Sequence, residues 1–174
     1  MIKRVAFALI TPLVTALVLV VDQLSKRWVL ATIPEGQSLD VVPWLASVFT
    51  FTHVTNTGVA FGLFQGMGYL FVAISVVVVV VILIYQRHLP QDRWLIRVAL
   101  GLQLAGAIGN NLIDRVRLGH VVDFIDLTFW PMDTFPVFNV ADSSIVVGVI
   151  LLAVLMLIEE CREQRAREAA QEHV

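Results

Sequence analysis

The chain has 174 residues, of which 58% are hydrophobic and only 15% charged. Water-soluble domains sit nearer roughly half apolar and a quarter charged, so this balance excludes an ordinary soluble enzyme and a disordered polar chain alike. The formal net charge of −2 carries no nucleic-acid signature, and one cysteine, Cys161, excludes an internal disulfide or a cysteine-built metal site.

In chain order, the first feature is the apolar run over 5–21 behind Lys3 and Arg4. It is longer than the hydrophobic region of a signal peptide, and no small-x-small cleavage site follows it. A first transmembrane helix is therefore expected over 5–28, with a polar last turn holding Asp22 and Lys26. Residues 29–66 form a long link without Lys or Arg, punctuated by Pro34, Gly36 and Pro43. Its alternating stretch Val48-Phe49-Thr50-Phe51-Thr52-His53-Val54 predicts a strand or hairpin on the membrane surface, with His53 facing the interface. Asn56-Thr57-Gly58 has the composition of a turn.

A second span is expected over 67–85. Its valine run would favour a strand in water, but in lipid every backbone group must be satisfied within the segment, which requires a helix unless a barrel closes. A short basic link, 86–93, leads to a third span over 94–115, weakened by Gln103, Asn110 and Asn111. Residues 116–138 form a second long link, whose Phe124, Phe129, Trp130 and Phe135 suit the membrane interface. A fourth span is expected over 139–158, and the tail 159–174, alternating Glu and Arg, reads as a helix in water. The expected fold class is membrane all-α: one domain, 1–174, with a four-transmembrane-helix bundle and a small extracytoplasmic segment of β character.

Basic residues set the expected orientation. Lys3, Arg4, Arg87, Arg93, Arg97, Arg162, Arg165 and Arg167 fall on one side, against Lys26, Arg27, Arg115 and Arg117 on the other. Cytoplasmic loops carry the excess of Lys and Arg, so both termini and the 86–93 link should be cytoplasmic and the two long links should face outward. The four outward basic residues neighbour Asp22, Asp114 and Asp123, as partners would.

Polar groups at the edge of a bilayer are costly and functional by default. Asp22, Lys26, Asn110, Asn111, Asp114, Arg115, Asn139 and Asp142 all fall at the outward ends of the spans, with Asn56 and Gly58 in the first outward link and Asp123 in the second. Several also fit plainer roles. Asp22 and Lys26, i and i+4 on one helix, suit a local ion pair. Asp142 suits the positive end of a helix. Asp126 and Asp133 suit solvated loop positions. Asp123 has apolar neighbours, Val121, Val122 and Phe124, which is an unusual setting for a solvated acid. No phosphate-cradling loop, histidine cluster or Ser–His pairing accompanies these groups, so no cofactor and no metal is expected.

Five motifs carry a resemblance. They are Asp22-Gln23-Leu24-Ser25-Lys26, Asn56-Thr57-Gly58-Val59-Ala60-Phe61, Gly106-Ala107-Ile108-Gly109-Asn110-Asn111-Leu112-Ile113-Asp114-Arg115, Val121-Val122-Asp123-Phe124-Ile125-Asp126 and Phe138-Asn139-Val140-Ala141-Asp142-Ser143. In order and spacing the chain resembles bacterial lipoprotein signal peptidase, also called signal peptidase II, over nearly its whole length. The resemblance implies a four-helix intramembrane aspartyl endopeptidase of the bacterial inner membrane. It would cut the signal peptide from prolipoproteins just before a diacylglyceryl-modified cysteine, with Asp123 and Asp142 as the catalytic pair and no cofactor. Two departures stand out. Val59 occupies a position that is usually Ala. Three residues also separate Asn110 from Asp114 where the family tends to have two. An i, i+3 relation to Asp114 favours Asn111 for the family's Asn. Asp22, Lys26, Asn56, Gly58, Asn111, Asp114, Arg115 and Asn139 are then expected to support the site or the substrate, with Arg115 paired to Asp114 or to a lipid head group.

Two carboxylates held about 4 Å apart repel by about 4 kcal/mol at an effective dielectric near 20. Such a pair shares one proton and titrates as a unit. The ionised member can then activate water while the protonated member donates to a carbonyl oxygen. The expected partners are lipid-modified prolipoproteins and membrane lipids, with no nucleic acid and the chain acting as a monomer. The alternative is a small proton-coupled transporter, since intramembrane acids also build proton relays. Against it, the sequence has no internal repeat. A membrane scaffold would not account for acids gathered at one face.

Overall fold

The computed structural model describes residues 2–58, 63–90 and 92–172; Val59, Ala60 and Phe61 of the second motif lie outside these. Among the described residues, four helical segments are long and apolar enough to cross a membrane: Phe7–Thr32, Gly68–His88, Trp94–Leu118 and Val140–Ala169. The first belongs to α1 (Ile2–Thr32) and the second is α2 (Gly68–His88). The third is compound: α3 (Trp94–Ala107), a π turn (Ile108–Asp114) and the short α4 (Arg115–Leu118). The fourth belongs to α5 (Val140–Glu172), which continues through the charged tail without a break. Glu, Arg and Ala, which dominate that tail, are strong helix formers, so nothing there interrupts the helix.

The bundle is built inside out relative to a soluble protein. Leu13, Leu17, Val77, Val81, Val147 and Ile150 point outward, where lipid would meet them. The compound third span is the most buried and packs between α1 and α5. Lipid tails are as apolar as these side chains, so association rests on close packing and polar stitches. Small residues supply the closeness. A Cβ at Gly101 would stand 3.0 Å from the Thr11 carbonyl oxygen, one at Gly106 would run into Ile145, and one at Gly148 would stand 2.8 Å from the Ala99 carbonyl oxygen. Hydroxyls supply the stitches: Thr11 donates to the Arg97 carbonyl and Thr15 to the Gly101 carbonyl, both at 3.1 Å, and Ser144 donates to the Leu102 carbonyl at 3.0 Å. Arg97, buried, donates to the carbonyls of Gln86 (3.3 Å) and Leu89 (2.9 Å), closing the otherwise orphaned C-terminus of α2.

Over the end of the bundle that holds Asp22 and Asp114 lies a three-stranded antiparallel sheet of order β1–β2–β3, made of β1 (Ser38–Leu39), β2 (Phe49–Asn56) and β3 (Val121–Leu127). Thr55 pairs with Val122 and Asn56 with Val121, with an irregularity between Phe51 and Val54. The alternating segment is thus a strand, as its pattern predicts, and extends to Asn56. β3 has no such pattern, because Val121, Val122, Asp123 and Phe124 are all buried and a strand covered on both faces does not alternate. Val29 of α1 and Ile33 just after it pack with Val122 and Phe124, joined by Phe51, whose ring meets Phe124 edge-on at 5.3 Å. This cluster seats the sheet on the end of α1 and so fixes where β3 delivers Asp123. His53 is buried rather than interfacial: its Nδ1 lies 2.7 Å from the Ile33 carbonyl oxygen, tying β2 to the same helix end.

Gly148→Leu should lower thermal stability in detergent by about 1–3 kcal/mol, the usual cost of overpacking. Val147→Leu, on the adjacent outward face, should leave the unfolding midpoint unchanged.

Candidate active site

The polar residues gathered at the sheet-covered end of the spans form one connected network. At its base Lys26 is 2% exposed and Asp22 fully buried. The Lys26 ammonium donates to Asp22 Oδ2 at 2.9 Å and to Asn110 Oδ1 at 2.6 Å, and pairs with Asp114 Oδ2 at 2.7 Å. The ammonium thus makes two hydrogen bonds, and its contact with Asp114 Oδ2 is an ion pair. The remaining carboxylate oxygens are also held: Gln23 Nε2 donates to Asp114 Oδ1 at 2.9 Å, and the Ala141 backbone N–H donates to Asp22 Oδ1 at 3.0 Å. That N–H belongs to the first turn of α5, whose positive end favours a carboxylate.

Asn139 stands immediately before α5 and acts as its cap. Its Oδ1 accepts from the Asp142 N–H at 2.9 Å, while its own N–H donates to Asp142 Oδ2 at 3.1 Å. These reciprocal bonds form a capping box with Asp142 three residues into the motif. The Asn139 side chain also donates to Asp123 Oδ1 at 2.7 Å and lies 3.1 Å from Asn110 Oδ1. One residue therefore grips both Asp123 and Asp142. Asn110 completes the link, its Nδ2 donating to Asp142 Oδ1 at 2.7 Å.

From the strand side, Asn56 Nδ2 donates to Asp123 Oδ2 at 3.0 Å and Asn56 Oδ1 accepts from the Gly58 N–H at 3.0 Å. A side chain at Gly58 would run into the Leu63 carbonyl, so this turn requires glycine. Both oxygens of Asp123 and both of Asp142 consequently accept N–H donors. The two carboxyls line one cavity of about 150 Å³ with Asn56, Asn110, Asn111 and Arg115. Asp123 is 2% exposed, and burial pushes its carboxyl above the ordinary range, opposed by the bonds from Asn56 and Asn139 and by Lys26.

Among the expected residues, Asp22, Lys26, Asp114, Asn139, Asp123, Asp142 and Asn56 are joined in this network, and Gly58 forms its turn. Two sequence expectations change. Asn111 does not enter the network between Lys26 and Asp142; Asn110 does, and Asn111 instead accepts from Arg115 Nε at 2.9 Å. The i, i+3 reasoning assumed an α-helix, and this stretch is a π turn. Nor does Arg115 pair with Asp114, which Lys26 already holds. Its guanidinium donates to the carbonyls of Thr57 (3.1 Å) and Gly58 and sits 5.2 Å over the Phe71 ring. Phe71 gave no sequence signal, being one apolar residue in an apolar span. Gln23 lay inside a quoted motif, but its role shows only in the packing. Asp126 accepts from the Thr52 hydroxyl at 2.7 Å, away from the cavity.

Comparison with known proteins gives a consistent result. The family described as Signal peptidase (SPase) II matches residues 14–158. A lipoprotein signal peptidase of Moorella thermoacetica is 47% identical over 146 residues, covering 84% of this chain and 91% of that protein. One of Geobacter metallireducens is 44% identical over 156 residues, covering 88% and 93%. Two solved structures, each titled as a bacterial membrane enzyme obtained by the in meso method, share the fold. One aligns with a TM-score of 0.78 at 33% identity, covering 86% of this chain and 88% of that one. The other aligns with a TM-score of 0.75 at 35% identity, covering 84% and 92%.

Lys26→Met should strand two buried carboxylates and cost about 3–5 kcal/mol. Replacing Asp22, Lys26 and Asp114 together with apolar residues of similar size should cost less than the single change. Unfolding midpoints in detergent compare the two variants.

Proposed function

The chain belongs to the signal peptidase II family and is a multi-pass membrane peptidase of lipoprotein processing; we propose that it cuts diacylglyceryl-modified prolipoproteins just before the lipidated cysteine, with Asp123 and Asp142 as the catalytic pair. The observation that carries this reading is the grip of Asn139 on both carboxyls, which aims groups from β3 and α5 into one cavity.

The pair shares one proton. The ionised carboxylate removes a proton from a water in the cavity, and the resulting hydroxide adds to the scissile carbonyl carbon. The protonated carboxyl donates to the carbonyl oxygen as the tetrahedral diol forms. Its collapse breaks the C–N bond: the carboxyl that took the water's proton gives it to the departing amine, one diol hydroxyl returns its proton to the other carboxylate, and the pair again holds one proton. The bonds from Asn56, Asn110 and Asn139 hold both acids in place before substrate arrives, which removes reorganisation from the chemical step.

The topology of this reading follows the distribution of basic residues: both termini cytoplasmic, the cavity at the outer face of the inner membrane. Substrate acyl chains would rest on apolar surface near the sheet and the following turn, where Trp44, Leu63 and Phe64 are exposed. A proton-coupled carrier is disfavoured, because the family is one of peptidases.

Asp123→Asn and Asp142→Asn should each lower turnover of a lipidated precursor in detergent by roughly 10²–10⁴-fold, with unfolding midpoints showing that each variant is folded at the assay temperature. If either variant retains near-normal turnover, the catalytic assignment fails. Activity against pH should be bell-shaped, lost on the acid side when both carboxyls hold protons and on the alkaline side when the shared proton leaves. The Asn56 bond favours ionised Asp123, so Asn56→Ala should raise that carboxyl further and move the profile toward higher pH; an unmoved profile contradicts this.

A further inference from the structure

The third span leaves α-helical geometry at the site. Across Ile108–Asp114 the chain forms a π turn, and the Arg115 N–H donates to the Asn110 carbonyl, five residues back. In an α-helix, at about 100° per residue, residues five apart lie roughly 140° apart around the axis. In a π turn the i→i+5 hydrogen bond brings them toward the same face. Two pairs on shared faces result. Gly109 and Asp114 both face α1: a Cβ at Gly109 would stand 2.9 Å from Asp22 Oδ2, and Asp114 meets Lys26 at 2.7 Å. Asn110 and Arg115 both line the cavity. Had the helix stayed α, Asn110 at the cavity would have turned Arg115 away from it.

Arg115, so aimed, is bound almost wholly by protein. Its Nε donates to Asn111 Oδ1, Nη1 to the Thr57 carbonyl and Nη2 to the Gly58 carbonyl. It therefore clamps the turn that ends β2. The Gly58 N–H in turn donates to Asn56 Oδ1, which fixes the rotation of the Asn56 amide and points Nδ2 at Asp123 Oδ2. The path from Asn111 to Asp123 is continuous, and each bond has one donor and one acceptor in a set orientation.

We infer that Asn111 and Arg115 are positioning residues for Asp123, acting through the Thr57–Gly58 turn and Asn56, while Asn110 positions Asp142 directly. Two consecutive asparagines of one helix thus serve the two carboxyls. This rests on the reading of Asp123 and Asp142 as the catalytic pair.

The test uses the full chain in detergent with a lipidated precursor. Asn111→Ala should lower kcat roughly 10- to 100-fold with KM and the unfolding midpoint unchanged, the pattern of a displaced reacting group. A rise in KM with kcat retained would mean that Arg115 serves substrate binding instead, and would overturn the inference, as would unchanged kinetics. If Asn111→Ala lowers the midpoint, Arg115→Lys takes its place: it keeps the charge near Phe71 and loses the planar fork, and the same kinetic pattern is expected. Combining Asn111→Ala with Asn56→Ala should lose no more than the larger single loss, because both cut one path; losses that multiply contradict it. Asp123→Asn, run alongside, separates the two readings. Retained turnover there sinks the catalytic pair itself, whereas abolished turnover beside a normal Asn111→Ala sinks only the positioning path.

Discussion

Lys26 carries three N–H donors, and its oxygen partners come from two helices: Asp22 on α1, and Asn110 and Asp114 on the third span. An ammonium 2% exposed among membrane helices is tolerable only when fully paired, so these helices must meet at one depth and one rotation. Asp22 passes the constraint on by accepting from the first turn of α5, and Asn110 passes it on to Asp142. The geometry of the cavity is thus inherited from the pairing of one buried cation. Asp123 is reached separately, by β3 seated on the end of α1, and Asn139 joins the two halves.

Close backbone packing makes that pairing possible. Gly101, Gly106 and Gly109 place the third span against α1 and α5 at distances that a methyl group would obstruct. Without a hydrophobic drive between helices in lipid, the polar network and these contacts share the work of association. The site is therefore also part of what holds the bundle together. Asp142 shows this in one residue, being both a helix-capping group and a carboxyl facing the cavity.

Much of this was legible in the sequence. Length and apolarity gave the four helices, since spanning a bilayer leaves little choice of structure. The clustering of acids and amides at one end of the spans was legible too, because such groups stand out in apolar context. What stayed hidden has physical causes. β3 lacks alternation because both its faces are covered. Asn110, and not Asn111, meets Lys26 and Asp142 in a stretch that forms a π turn, whereas sequence spacing alone presumes the α angle between residues. The burial of His53 depends on the approach of α1 to β2, which no local pattern encodes. The tail's helical character was legible, and its continuity with α5 shows only in the structure, because an apolar-to-polar change marks an environment and not a break.

The central claim is that the outward cavity hydrolyses lipidated precursors at one bond. Mass analysis of both products after incubation of the purified chain with a diacylglyceryl-modified precursor tests it most directly, with the same precursor lacking lipid as control. The account predicts a released peptide ending at the residue before the modified cysteine, a lipidated product beginning with that cysteine, and little cutting of the control. Cleavage at another bond, equal cleavage of the unlipidated control, or no cleavage by a folded preparation would contradict it.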